Sequence, residues 1–124
     1  MDKVRIGLIG AGSISHFHAL GYQANHDLAQ IEAVCDPNKA RAEAFAEKYN
    51  IARVYTDYAS MLADAPLDAV SVAVWNHAHA DAAIASLKAG KHVLCEKPLA
   101  MNATQAEEML RTAKQEDKLL MVGF

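Results

Sequence analysis

The chain has 124 residues, 52% of them hydrophobic, and its 12 basic side chains against 15 acidic ones leave a net charge of −3. That is the length of one ordinary domain with enough apolar material for a core, and the charge balance argues against a nucleic-acid face or a polybasic membrane anchor. No apolar run reaches the roughly 18 residues of a membrane span, and no apolar stretch before a small-residue cleavage site marks secretion, so the expected setting is the cytoplasm.

Val4–Ile9, apolar apart from Arg5, reads as a strand buried on both faces. The run Gly10-Ala11-Gly12-Ser13-Ile14-Ser15 follows at once, and a helix is expected from near Ser13. Residues 31–35 form a second strand-like run, and Ala42, Phe45, Ala46 and Tyr49 then fall at i, i+3, i+4, i+7, one apolar helix face. Arg53–Tyr55 is a short third strand, followed by the stripe Tyr58, Met61, Leu62. Residues 69–74 (Ala-Val-Ser-Val-Ala-Val) read as a fourth strand, and Ala80, Ala83, Ile84 and Leu87 as the next helix face, with Gly90 where a C′ glycine would sit. Residues 92–95 and 119–122 complete the strands, with Ala106, Met109, Leu110 and Ala113 between them. Pro37 and Pro98 stand near helix starts, and Asn102, formally a glycosylation acceptor, reads better as an N-cap. Cys35 and Cys95 lie in strand-like runs and read as small buried hydrophobes.

Strand and helix in alternation mean βαβ units with right-handed crossovers. The expected fold is a Rossmann-type doubly wound parallel sheet of about six strands with helices on both faces, in a single domain spanning residues 1–124 without internal repeats. In that setting the glycines carry chemistry. Gly10 suits a tight turn, Gly12 lets the backbone approach a pyrophosphate, and the helix N-terminus behind them favours negative charge. The third fingerprint position is Ser15, small enough to keep helix and strand close. Asp36 follows Gly12 at about the 20-residue spacing of the acid that accepts an adenosine ribose; a turn acid ahead of Pro37 is the plainer alternative. A carboxylate there favours NAD over NADP, while Lys39 and Arg41 nearby leave NADP open.

The stretch Lys91-His92-Val93-Leu94-Cys95-Glu96-Lys97-Pro98 delivers Glu96 and Lys97 at a strand end, where open α/β sheets bind ligands. By chemistry alone the pair serves equally as a solvated turn. With Gly10 to Ser15, His18, Asp36, the run Ala89-Gly90-Lys91-His92-Val93, Glu96-Lys97-Pro98 and the closing Val122-Gly123-Phe124, the chain resembles the N-terminal domain of the Gfo/Idh/MocA oxidoreductases. The resemblance implies that Gly10, Gly12, Ser13 and Ile14 line a pyrophosphate, that Asp36 holds the adenosine ribose, and that Asn76 and Glu96 lie by the nicotinamide ribose. It further implies that Lys97 is the catalytic lysine and that His79 matches the family histidine after the fourth strand, on the cofactor side. The chain departs from the family at Val74-Trp75, where Thr-Pro or Ser-Pro is usual; Trp75 is expected either at the cofactor cleft or in the core. Family members continue into a substrate domain, which this chain is expected to lack.

The pairs His16/His18 and His77/His79 are spaced i, i+2, which points side chains apart on a helix and disfavours a metal site. His16 and His18 read as packing and N-terminal polar contacts. Two functions remain. One is the cofactor-binding domain of an NAD(P)-dependent oxidoreductase acting on a sugar, polyol or related substrate by hydride transfer, with no nucleic-acid or membrane partner. The other is a dinucleotide-binding module without turnover. An adenosylmethionine-dependent methyltransferase would share the glycine loop and the acid but leaves Glu96-Lys97-Pro98 unexplained.

Overall fold

The computed structural model describes residues 2–123 and alternates strand with helix throughout. In chain order the elements are β1 (Val4–Ile9), α1 (Ser13–Ala24), β2 (Ala29–Cys35), α2 (Lys39–Tyr49), β3 (Arg53–Tyr55), α3 (Tyr58–Asp64) and β4 (Ala69–Val72). A single 3-10 turn (Asn76–Ala78), α4 (His79–Lys88), β5 (His92–Glu96), α5 (Ala103–Gln115) and β6 (Leu120–Gly123) follow. The sheet order is β3-β2-β1-β4-β5-β6, with every neighbouring pair parallel. Chain progression reverses between β1 and β4, which leaves a crevice at the carboxyl ends of those two strands.

Strand alternation sends side chains to two cores. Ile6, Leu8 and Val34 join Ala19 of α1 and Phe45, Ala46 and Tyr49 of α2 on one face. Ile9, Cys35, Val70, Val72, Val93 and Cys95 join Met61, Ala83, Leu87 and Met109 on the other, under α3, α4 and α5. The doubly wound expectation therefore holds. Gly7 makes room for α3: a Cβ there would lie 2.6 Å from Leu67 Cδ1 and 3.0 Å from Met61 Cε. Both cysteines are free and buried, and burial pushes their thiols up to about 12.

Side-chain caps start three of the helices. Asn38, Asp57 and Asn102 accept from the amides of Arg41, Ser60 and Gln105 at 3.0, 2.7 and 2.9 Å. Gly90 ends α4 with φ +81°, as its position predicts. Three expectations shift. β2 begins at Ala29, because Val4 and Arg5 at the start of β1 pair with Ala29 and Gln30. β4 stops at Val72 instead of Val74, its last pairs being with Ile9 of β1 and Cys95 of β5. Leu110 is 55% exposed, since α5 buries Met109, Thr112 and Ala113 and turns Leu110 outward.

Register sets the rim. Ile9 pairs with Cys35 and with Val72, Val72 with Cys95, and Glu96 with Gly123, so the strands end level and Gly10, Asp36, Ala73 and Glu96 emerge along one edge.

At the opposite edge Arg5 grips Asp68 with its amide, Nε and a terminal nitrogen at 2.8, 3.1 and 3.0 Å, joining the starts of β1 and β4. These bonds hold the Asp68 carboxyl at about 2 instead of 3.8. A depressed carboxyl stabilises the fold fully above its unfolded value and loses that contribution as pH falls through the folded one. Chemical unfolding followed from pH 5 to pH 2 is therefore expected to show a steeper stability loss in the wild type than in Asp68→Asn. Equal slopes would mean that the pair contributes nothing.

Candidate functional site

The loop after β1 is set by one close approach. Gly10 has φ +106°, and a Cβ there would lie 2.3 Å from the Ala73 carbonyl oxygen in the loop after β4. Any other residue would be strained in backbone and blocked in space. The Gly10 amide donates to the Cys35 carbonyl at 2.8 Å, tying the loop to the end of β2 as well. Ser15 is fully buried, and its hydroxyl donates back to the Gly10 carbonyl at 2.6 Å. The residue that departs from the glycine fingerprint thus stitches the turn to α1. Gly12 is different: a Cβ there would meet nothing within 4 Å, so the protein itself imposes no need for glycine. The space beside the start of α1 is open at this position. Gly12 is also the N-cap of α1 and makes no side-chain cap bond, and the first turn holds no acid, so the helix dipole is left unanswered from within. Ser13 and Ile14 lie exposed at this helix start.

Asp36 stands beside that loop, 4% exposed. Its Oδ2 accepts from the Ala11 amide at 3.0 Å and from Arg41 Nε at 3.2 Å; its Oδ1 accepts from the Asn38 amide and an Arg41 terminal nitrogen, both at 2.9 Å. Burial alone would raise the carboxyl, but the Arg41 bonds, helped by the two amides, bring it below its ordinary value. Asp36 is an ionised acceptor locked to the glycine loop.

Across the crevice Glu96 closes β5, half-buried, and Lys97 is exposed beyond it. Glu96 Oε1 lies 2.6 Å from His18 Nε2 on α1. This bond fixes the carboxylate and spans the two halves of the sheet. Trp75 is 79% exposed in the loop after β4, so its reading as a core residue is wrong: β4 ends before it and the chain turns outward. The Asn76 side chain lies outside what the structure describes. His79 is 1% exposed, with Nδ1 2.7 Å from the Pro98 carbonyl and Nε2 2.9 Å from the Val74 carbonyl. Both ring nitrogens lie against backbone carbonyls, so His79 clamps the loops after β4 and β5. His16 packs on Phe45 at 4.7 Å between ring centroids and bonds the Tyr49 hydroxyl, as a packing residue should.

Sequence reasoning missed the His18–Glu96 bond and the grip of Arg41 on Asp36. The second had a local signal, since Arg41 stands in the first turn of a helix capped next to Asp36. The first had none, because its partners are 78 positions apart.

Residues 4–124 match the family described as GFO_IDH_MocA, an oxidoreductase family with an NAD-binding Rossmann fold. The chain is 42% identical over 124 residues to D-glucoside 3-dehydrogenase of Escherichia coli, covering 99% of itself and 35% of that protein. It is 36% identical to myo-inositol 2-dehydrogenase of Thermotoga maritima, covering 98% of itself and 36% of that protein. Among solved structures, the WlbA dehydrogenase of Bordetella pertussis, in complex with NADH and UDP-GlcNAcA, superposes with a TM-score of 0.95 at 30% identity, over 98% of this chain and 37% of that one. The chain therefore spans about a third of the length of the relatives it matches.

A neutral imidazole carries one N–H, so His79→Leu removes one donor from the Val74 and Pro98 carbonyls, at roughly 1–3 kcal/mol. Urea unfolding is expected to show a loss of at least about 1 kcal/mol. A variant as stable as the wild type would mean that water replaces the ring.

Proposed function

This chain belongs to the GFO_IDH_MocA oxidoreductase family, and from that premise we propose that it is the NAD-binding half of a dehydrogenase acting on a sugar, polyol or related hydroxyl substrate. The observation that carries the reading is the buried Asp36 carboxylate locked to the Ala11 amide at 3.0 Å, beside a helix N-terminus that the protein leaves uncapped. An acceptor pair and a positive helix end, adjacent at the point where chain progression reverses, are what a ribose joined to a pyrophosphate requires.

The residues fit the dinucleotide. Gly10, Gly12, Ser13 and Ile14 would line the pyrophosphate, with Gly12 supplying the open cradle. Asp36 would accept from the adenosine ribose. Glu96, fixed by His18, would accept from the nicotinamide ribose together with Asn76. Trp75 would stand over the cleft from the loop after β4. The nicotinamide supplies the hydride exchange, and this chain supplies position and charge. Lys97, exposed at the end of β5, is the proposed catalytic residue: it would take the proton of the substrate hydroxyl as the carbinol is oxidised and return it in the reverse direction. His79 would act through the backbone, holding the loops that carry Trp75 and Lys97 in fixed relation.

The substrate class is supported by the relatives, which include a glucoside dehydrogenase and an inositol dehydrogenase. The cytoplasm is the proposed setting, supported by two buried, unpaired cysteines. Among the described residues no helix is long and apolar enough to cross a membrane.

Trp75 is the only tryptophan and is exposed, so it reports on the site directly. Titration with NADH is expected to quench its fluorescence saturably. Asp36→Ala, checked for folding by circular dichroism, is expected to weaken binding by about tenfold or more, since hydrogen bonds to a charged group contribute roughly 1.5–3 kcal/mol each. Absence of any response of the wild type to NADH would refute the reading.

A further inference from the structure

Glu96 is held on one side and open on the other. It is the last residue of β5, opposite Gly123 of β6, where the ladder stops. Its carboxylate is confined all the same. Oε1 lies 2.6 Å from His18 Nε2. A Cβ on Gly123 would lie 3.4 Å from that oxygen and 3.8 Å from Oε2, so glycine leaves the carboxylate the room it occupies. A carboxylate only accepts hydrogen bonds, so the ring hydrogen sits on Nε2. It offers about four acceptor positions, and among the described residues the His18 ring fills one of them, on Oε1. Oε2 is left to accept from something else. His18 is itself well anchored. Its side chain is 7% exposed, its neighbour Ala19 is fully buried, and the start of α1 is tied to the glycine loop by the Ser15 hydroxyl. One helix therefore serves both ends of the crevice: its first turn stands behind Gly12, and its second reaches Glu96.

We propose that His18 is a positioning residue for the nicotinamide half of the site: it presents the Glu96 carboxylate to the ribose next to the nicotinamide, and it acts on the cofactor through Glu96. The inference rests on Glu96 being that ribose acceptor in the proposed dinucleotide site. A long flexible side chain at a strand end would have to be ordered by the ligand, at a cost to binding. With His18 in place the ordering is done by the protein beforehand, and because Oε1 is occupied the ribose meets Oε2 from a defined direction. The effect is confined to one half of the ligand. A molecule that carries the second ribose gains from the fixed carboxylate, whereas one that ends at the pyrophosphate never reaches it. A purely structural role would look different. Loosening α1 would disturb the helix start that faces the phosphates, and both kinds of ligand would lose affinity alike.

Calorimetric titration of the chain and its variants with NADH and with ADP separates the two roles. His18→Leu is expected to bind NADH at least about threefold more weakly, the scale of ordering one long side chain at an interface, and to bind ADP within about twofold of the wild type. His18→Gln, whose amide can donate to Glu96 in place of the ring, is expected to recover most of the NADH affinity. In the wild type, nitrogen NMR of the His18 ring is expected to report the hydrogen on Nε2, and to show a larger shift on adding NADH than on adding ADP. Equal losses for NADH and ADP, an undiminished NADH affinity in His18→Leu, or no recovery in His18→Gln would overturn the proposal while leaving the dinucleotide site standing. Ring resonances that NADH leaves unmoved would overturn it as well, whether or not the variants fold. No NADH binding by the wild type would overturn both.

Discussion

The contact on which the site depends is between two stretches of backbone. The chain leaving β1 at Gly10 passes so close to the chain leaving β4 at Ala73 that no side chain fits between them. The crevice of a doubly wound sheet opens where strands on either side of it lead away in opposite directions, and here its two lips touch at their base. That approach aims the Gly10–Gly12 turn across the rim and starts α1 above it. The level register of β1, β2, β4 and β5 then brings Asp36 to one flank and Glu96 to the other. Changing Gly10 would alter a backbone geometry that three strands share.

Past the strand ends, side chains take over from the ladder. Ser15 bonds back to Gly10, His18 reaches Glu96, and His79 bonds both Val74 and Pro98. The Ser15 bond closes the segment after β1 on itself, the His18 bond joins α1 to the end of β5, and the His79 bonds join the loops after β4 and β5. The rim is thereby rigid where parallel sheets are otherwise held only by the helices packed on them. Preorganisation of this kind lowers the ordering cost of binding. The ring with two nitrogens on opposite sides is a suitable length for joining two loops.

Much of this was legible beforehand, for reasons that differ by residue. Strand and helix identity followed from period, and the fold from their alternation. Gly10 and Asp36 were legible because their chemistry is local: a turn after a strand, and an acid before a helix cap. The core alternative for Trp75 fails because the strand ends before it: β4 stops at Val72, two residues short of the apolar run, and Trp75 turns outward. Leu110 shows the same limit in a helix: the apolar period gives the direction of the buried face but not its width, which depends on how α5 sits at the sheet's edge.

The two carboxylates of the rim share a further property. Asp36 is paired with the Arg41 guanidinium, and Glu96 is hydrogen-bonded to His18. The attraction for the phosphates is then left to the uncapped start of α1, a short-range field that acts within its first turn. A site built this way selects by fit more than by long-range charge, in keeping with a chain whose overall charge is slightly negative. The internal partners leave the buried Asp36 carboxylate fully hydrogen-bonded, by the Ala11 and Asn38 amides and by Arg41.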